Sequence, residues 1–197
     1  YVVLVHRKEH YLLVEVDLNA RRKDQSDSFV NVYQELKYVM TAIEGASSLR
    51  DACSIGAHEL KRISGFDKVM IYSFDAEWNG YVMAEAMEPE MESYFGFTFP
   101  ASDIPRQARE LYLKNPYRFI PDRNYSPVKL YPIVNPLTNS FIDLSDCNLR
   151  SVAAVHVEYL GNMGVTASMS TRILFKDELW GLIACHHRTP RYLTYEM

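Results

Sequence analysis

The chain has 197 residues, 48% of them hydrophobic and 13% aromatic, which is enough for one domain with a substantial core and some flanking structure. Its net charge of −4 excludes the basic composition of nucleic-acid-binding and anionic-membrane-binding proteins, and no apolar run approaches the ~18 residues of a membrane span. We therefore expect a cytoplasmic protein without a nucleic-acid or membrane partner. Cys53, Cys147 and Cys185 are odd in number, which favours reduced thiols over a disulfide framework.

The first 17 residues predict a β-hairpin. An apolar run at residues 2–5 is followed by mixed alternation at residues 11–17 (YLLVEVD), a pattern typical of strands. Because a two-stranded hairpin is marginally stable alone, we expect it to be the end of a domain that precedes these residues. Residues 18–27 are polar and predict a linker.

Two helices are predicted next. Apolar residues recur at three-and-four spacing from residue 28 until Gly45, which indicates an amphipathic helix. A second helix is expected to begin after Ser47 or Ser48, either of which can cap it, and to end at Gly65.

From residue 67 the hydrophobic period becomes that of strands. Residues 68–74 and 81–86 predict one hairpin, and residues 167–175 and 179–187 predict another. Between the hairpins we expect a helix at 106–114, a proline-containing irregular stretch at 119–144, and a helix from about 148 to 162. Antiparallel hairpins with helices before and between them predict an α+β fold, with helices flanking a central antiparallel sheet.

The most constrained segment is residues 100–105 (PASDIP). The two prolines require extended or turned backbone, and Pro105 suits the first turn of the helix that follows. Ser102 or Asp103 is expected to cap that helix, with the Asp103 carboxylate buried. On spacing alone, an ordinary loop-to-helix junction with a capping aspartate is the simpler interpretation.

Histidines are the other candidate functional residues. On a helix from residue 148, Val152, His156 and Tyr159 share one face and Arg150 lies near the start. A histidine on such a face is more often a core residue than a ligand. Residues 185–187 (CHH) lie in a predicted strand, where neighbours point to opposite faces and cannot bind one ion together. No further ligands have a recognisable metal-binding spacing, so we predict no metal site in the chain. No nucleophile-base motif or phosphate-binding loop is recognisable.

Four blocks resemble, in this order and spacing, the bilin-binding GAF domain of phytochromes: residues 100–105 (PASDIP), 149–152 (LRSV), 156–165 (HVEYLGNMGV) and 179–187 (LWGLIACHH). The resemblance implies that residues 28–197 form a GAF domain, that residues 1–17 end the preceding PAS domain, and that the PHY domain follows later in the full-length protein. Residues 119–144 resemble the family's lasso, which predicts a stretch folded against the domain near the N-terminal segment.

The resemblance implies a red/far-red light sensor that binds biliverdin and signals by photoisomerisation of its D-ring methine bridge. Asp103 resembles the aspartate whose carbonyl approaches the pyrrole nitrogens and whose carboxylate meets an arginine of the PHY domain. His156 resembles the histidine stacked beside the chromophore, and His186 the one that bonds the D-ring carbonyl. Arg118 and Arg150 match the arginines that pair with the two propionates. The other pocket residues it implies are Ile104, Tyr159, Tyr112, Ser168, Ser170, Tyr72, Met70, Val82 and Phe99.

Val155 stands where plant and many cyanobacterial phytochromes carry the cysteine that links the bilin. In bacteriophytochromes the linking cysteine lies upstream of the PAS domain, so we expect biliverdin with no covalent link inside these 197 residues. The implied partners are the bilin and the PHY domain, with a homodimer through the GAF helices as a further option.

Two other functions remain open at this point. The same fold can host a small regulatory ligand such as a cyclic nucleotide, which the two propionate arginines and His186 disfavour. A hydrolase using His156 or His186 lacks a recognisable nucleophile, and we expect no enzymatic activity.

Overall fold

The structure is a computed structural model that describes residues 2–17 and 29–193, so the predicted linker at 18–27 lies outside the described residues. Within these ranges, no helix has the length and apolar character needed to cross a bilayer. The elements in chain order are β1 (Val2–Arg7), β2 (Leu12–Asp17), α1 (Phe29–Glu44), α2 (Leu49–Ser64), β3 (Lys68–Phe74), β4 (Gly80–Met87), β5 (Thr98–Phe99), α3 (Arg106–Lys114), β6 (Tyr117–Ile120), β7 (Val134–Asn135), β8 (Ser140–Phe141), α4 (Ala154–Asn162), β9 (Ala167–Phe175) and β10 (Glu178–His187).

A six-stranded antiparallel sheet with the order β5-β4-β3-β10-β9-β6 forms the centre of the fold. The predicted hairpins β3–β4 and β9–β10 are confirmed, and β10 pairs with β3 to join them. Lys176 and Asp177 connect β9 to β10 with φ values of 51° and 65°, the left-handed backbone that a tight hairpin turn requires. The N-terminal hairpin β1–β2 forms a separate two-stranded sheet. The α+β prediction is therefore confirmed.

Helix α2 covers one face of the sheet. The Ser48 hydroxyl accepts a hydrogen bond from the Asp51 amide at 3.2 Å, and Gly65 ends the helix with a φ of 62°, as the sequence predicts. The buried cluster beneath α2 consists of Cys53, Ala57, Phe66, Val69, Ile71, Ala84, Ala86 and Cys185. Two of the three thiols thus lie in the main core.

The opposite face of the sheet carries a second cluster of Met70, Tyr72, Val82, Leu179 and Leu182, with α3 packed beside it. Val82 reaches this face because the pairing of β3 with β4 shifts: Ile71 lies opposite Ala84, whereas Tyr72 lies opposite Val82. The extra residue between them forms a β-bulge, which changes the face that the following side chains occupy. Without the bulge, Val82 and Ala84 would point the same way.

Helix α4 begins at Ala154, so the prediction that it starts near residue 148 is wrong. The amides of Asn148 and Leu149 donate to the Glu15 carboxylate, and the Val152 amide donates to the Tyr125 hydroxyl. In a helix that began at residue 148, the Val152 amide would donate to the Asn148 carbonyl, but it donates to the Tyr125 hydroxyl instead, and residues 148–153 have an irregular conformation. Val152 therefore does not share a helix face with His156 and Tyr159, and Arg150 lies in a loop.

Helix α3 has the predicted bounds, but its predicted cap is wrong. Pro105 occupies the N-cap position, and no side chain caps the helix. The segment before it is held differently: the Asp103 amide donates to the Pro100 carbonyl at 3.0 Å, and Arg109 Nη1 donates to the Ile104 carbonyl at 2.7 Å. Asp103 is exposed, contrary to the expectation of a buried carboxylate.

The stretch at residues 119–144 is folded against the domain at its ends. The Arg123 amide donates to the Thr166 carbonyl at 2.8 Å, and Asp143 pairs with Lys8 of the N-terminal region at 3.4 Å. In the middle, where β7 and β8 form a small hairpin, the expectation is wrong, since Tyr131 is 99% exposed and Phe141 78%.

The close approach of Gly80 to Tyr72 gives a stability prediction. A Cβ at position 80 would lie 1.5 Å from Tyr72 Cζ, so Gly80→Ala must displace a ring of the second cluster. We expect a loss of roughly 1–3 kcal/mol in the free energy of unfolding, measured by urea denaturation. The control is Gly45→Ala, whose new Cβ meets its nearest neighbours at 3.6 Å, an ordinary contact. Equal stability of the two variants would contradict the prediction.

Candidate functional site

A cleft lies between the second face of the sheet, α3, α4 and the segment 100–105. It contains about 890 Å³ of empty space, its open mouth included. Every predicted pocket residue except Arg118 and Arg150 lines it, namely Met70, Tyr72, Val82, Phe99, Asp103, Ile104, Tyr112, His156, Tyr159, Ser168, Ser170 and His186.

Strand register builds the floor of the cleft. Ser170 of β9 lies opposite Ala184 of β10 on one side and Arg118 of β6 on the other. Two residues further along the same pair of strands, Ser168 of β9 lies opposite His186 of β10. Because directly opposite residues share a face of the sheet, Arg118 belongs to the same face as the serines and His186.

Helix α4 contributes the stacked pair His156 and Tyr159. Their ring centroids are 6.3 Å apart with an interplanar angle of 15°. The spacing of three residues places both rings on the cleft side of the helix, as the sequence predicts.

Tyr112, Ser170 and two arginines form the polar end of the site. The hydroxyls of Tyr112 and Ser170 are hydrogen-bonded at 2.6 Å. Arg118 Nη2 donates to the Arg150 carbonyl at 3.1 Å, and Arg150 Nη1 donates to the Cys147 carbonyl at 2.5 Å. Within residues 2–17 and 29–193, neither guanidinium forms an ion pair with a carboxylate.

Burial, followed by the positive charge of Arg150, lowers the pKa of Arg118 to about 10. Two neighbouring cations without a carboxylate form a site that favours an anion.

Three buried groups of the cleft, His186, His156 and Tyr72, have pKa values shifted toward their neutral forms. Burial, with smaller contributions from Lys68 and His156, lowers the pKa of His186 to about 4. Burial and the Arg118 charge also lower the pKa of His156, and burial raises the pKa of Tyr72 to about 12. His186 Nδ1 is buried and has no hydrogen-bond partner among the described residues. At neutral pH His186 can therefore offer a hydrogen bond without carrying a charge.

The cleft has further lining residues that the sequence analysis missed. Two of these, Leu182 and Ala184, precede His186 by four and two residues in one strand, so the strand period could have found them. Tyr94 lies in a loop and gives no such signal; it is fixed by the Lys68 ammonium, 3.9 Å from its ring centroid. The others are Ala108, Leu160 and Met163.

The GAF domain family matches residues 48–197. The chain belongs to the GAF domain family. This GAF domain is of the phytochrome type: cyanobacterial phytochrome B of Nostoc sp. is 47% identical over 195 residues, which are 99% of this chain and 26% of that protein. A bacteriophytochrome of Xanthomonas campestris is 48% identical over 164 residues, which are 83% of this chain and 26% of that protein.

Solved structures agree with this assignment. The chromophore-binding domain of a bacteriophytochrome from R. palustris superposes on the GAF chain with a TM-score of 0.89 at 40% identity, over 98% of this chain and 62% of that one. The chromophore-binding domain of a Stigmatella aurantiaca phytochrome gives a TM-score of 0.89 at 40% identity, over 98% and 63% of the two chains. The chain spans about a quarter of the length of the curated relatives it matches. The predicted family and fold are confirmed, and the matches favour a phytochrome module over the cyclic-nucleotide alternative.

The buried neutral His186 predicts acid sensitivity. Because its pKa falls from 6.5 to about 4 on folding, only the unfolded chain binds a proton there between these values, so stability decreases as the pH falls through this window. Between about pH 7 and about pH 4.5, the free energy of unfolding should fall less in His186→Gln than in wild type. The two decreases should differ by roughly 2–3 kcal/mol.

Urea denaturation at the two pH values measures this difference. The control is His10→Gln, whose side chain is 54% exposed in the native protein and should leave the acid-dependent loss unchanged. An undiminished loss in His186→Gln would contradict the assignment of a buried neutral imidazole.

Proposed function

We propose that the chain is the chromophore-binding module of a red/far-red photoreceptor, and that it holds biliverdin in the cleft. The observation that carries this proposal is the pair Arg118 and Arg150, two neighbouring guanidinium groups without a carboxylate partner among the described residues. They lie beside Tyr112 and Ser170, which line the aromatic cleft. A linear tetrapyrrole is a long conjugated body with two carboxylates, so it matches both the walls and the cations.

The residues of the cleft fit such a pigment in three respects. Arg118 and Arg150 would bind the propionates, with the hydroxyls of Tyr112 and Ser170 beside them. The buried Nδ1 of His186 has no partner among the described residues, and this imidazole can bond a pyrrole-ring carbonyl at the other end. When bound, biliverdin supplies the absorption of red light and the methine double bond that isomerises.

The chain's own side chains position the pigment and exclude water. The aromatic residues Tyr72, Phe99 and Tyr159 give apolar walls, and Tyr72 and Phe99 contact each other with centroids 6.2 Å apart. At the mouth, Arg109 fixes the segment of Asp103 by donating to the Ile104 carbonyl and by stacking on Trp78 at 4.5 Å. The exposed Asp103 carboxylate is then available to an arginine of the PHY domain in the full-length protein.

The same proposal extends to the rest of the full-length protein. We infer that β1–β2 is the end of a PAS domain, and that any kinase or cyclase output belongs to other parts of the full-length protein, so that this module senses without catalysing a reaction. A cytoplasmic setting stays a prediction.

We infer that the pigment is not linked covalently to these residues. Cys53, Cys147 and Cys185 are all buried, and burial raises the pKa of each thiol, which reduces its thiolate fraction. Val155, at the linking position of other phytochromes, has no thiol.

Helix α1 supports a homodimer. Val39 is buried, whereas Leu36, Met40 and Ile43 leave apolar surface exposed on the same helix. We infer that a second copy covers this surface, which sedimentation of wild type and Leu36→Glu would test.

The arginine pair gives the decisive experiment. Each of Arg118→Met and Arg150→Met should weaken biliverdin binding about tenfold or more, since each removes a charge-assisted contact to a propionate. Titration followed by the red absorption of the pigment measures this. Arg106→Met is the control, because its side chain is 84% exposed and pairs with Glu110 on the outer surface of α3.

Wild-type affinity in both cleft variants would overturn the proposal, as would a wild-type chain that stays colourless with biliverdin. On denaturing electrophoresis, the pigment should separate from the wild-type chain.

Replacement of Asp103 should separate binding from photochemistry. Asp103→Ala keeps the backbone carbonyl and the apolar walls, so biliverdin affinity should stay within about threefold of wild type. Photoconversion should change, because the carboxylate is lost. The measurement is a pair of absorption spectra, dark and after red illumination, in a protein that includes the PAS and PHY domains. Ser102→Ala, the adjacent exposed residue, is the control. Loss of binding with normal photoconversion would assign Asp103 a purely structural role.

A further inference from the structure

A cluster of three potential metal ligands lies outside the cleft, where the N-terminal hairpin meets the loop before α4. His6 of β1, Glu15 of β2 and the buried Cys147 bring an imidazole nitrogen, a carboxylate oxygen and a thiol sulfur within 4.8 Å of one another. His6 Nε2 and Glu15 Oε1 are hydrogen-bonded at 2.6 Å. Glu15 is 8% exposed and Cys147 5%, so two of the three residues are buried.

We propose that His6, Glu15 and Cys147 bind a divalent transition-metal ion of the Zn²⁺ type. Nitrogen, oxygen and thiolate sulfur together suit Zn²⁺, whereas Mg²⁺ and Ca²⁺ prefer oxygen ligands alone. In a tetrahedral zinc site the ligand atoms are about 3.5 Å apart, so the three side chains need adjustments of only about 1 Å. Three protein ligands leave the fourth position to water.

The backbone around the cluster already orients one ligand. Glu15 Oε2 accepts a hydrogen bond from the Leu149 amide at 2.6 Å, and Oε1 accepts one from the Asn148 amide at 3.1 Å. Such outer contacts hold a ligating carboxylate in place and are typical of metal sites. On binding, the metal replaces the hydrogen bond between His6 and Glu15, and the Cys147 thiol releases its proton to the solvent as the metal–sulfur bond forms.

The charge of the neighbourhood is compatible with a dication. The nearby ammonium of Lys8 is paired with Asp143 and Asp146, so its positive charge is offset by two carboxylates. One thiolate and one carboxylate would balance the charge of the metal ion.

The site is connected to the cleft through one residue. The carbonyl of Cys147 accepts the hydrogen bond of Arg150 Nη1 at 2.5 Å, so a metal on the Cys147 sulfur would restrain the loop that carries a propionate arginine. This coupling rests on the proposed function, whereas the metal site itself does not.

The test uses the complete 197-residue chain without pigment and Co²⁺ as a spectroscopic substitute for Zn²⁺. A cysteine-ligated Co²⁺ gives a sulfur-to-metal absorption band in the near ultraviolet and visible bands typical of tetrahedral geometry. We expect one equivalent to bind with both signals, and Zn²⁺ to displace it. Cys147→Ser should lose the sulfur band and bind at least about tenfold more weakly.

Cys53→Ser is the matched control, because Cys53 is also a buried thiol but lies beneath α2 in the main core. It should keep the wild-type spectrum. His6→Gln tests the site without altering the buried thiol, and it should weaken Co²⁺ binding even if Cys147→Ser folds poorly by circular dichroism.

Absence of the sulfur band in wild type, or its persistence in Cys147→Ser, would overturn the proposal, as would wild-type Co²⁺ affinity in His6→Gln. Because no biliverdin is present, failure here is distinct from failure of the proposed function, which the pigment titration decides by itself.

Discussion

The antiparallel pairing of β10 with both β3 and β9 is the constraint on which the rest of the structure depends. It fixes which side chains face α2 and which face the cleft: Cys185 lies in the main core, while His186, its neighbour, lines the cleft. A slip of one residue would exchange the two sets. Packing of apolar residues beneath α2 therefore determines which side chains line the cleft on the opposite face of the sheet. The bulge in β4 adds Val82 to that face.

The cleft is electrostatically asymmetric. At one end Arg118 and Arg150 are adjacent cations, and the pKa of Arg118 is lowered by burial and by its neighbour. Elsewhere in the cleft, burial lowers the pKa of His186 and favours its neutral form. Both features oppose stability in the free protein, since charges and polar atoms are removed from water without full compensation. The proposed pigment, with two carboxylates and ring carbonyls, would relieve both.

Most helices and strands could be predicted from the sequence, because they are determined by residues near one another in the chain, such as helix caps and turn residues. Ser48 and Gly65 bound α2, and the hairpins follow from the strand period and turn residues. The start of α4 could not be predicted, since the Val152 amide, which would pair with a backbone carbonyl in a helix from residue 148, binds the hydroxyl of Tyr125, a residue distant in sequence. The roles of Arg118 and Arg150 came from family resemblance rather than from pattern. The grouping of His6, Glu15 and Cys147 has no sequence signature, because three separate elements bring it together.

Glu15 also has a mechanical consequence. Its carboxylate, carried by β2, holds two consecutive amides of the loop that continues into Arg150. Rotation of the hairpin must either break two charge-assisted hydrogen bonds at a buried position or pull the backbone of that loop with it. The N-terminal hairpin and the loop that carries Arg150 are therefore connected by two hydrogen bonds to one side chain. Strain applied to the N-terminal sheet would then be transmitted to the cleft through a few bonds, without any change in the packing of the main core.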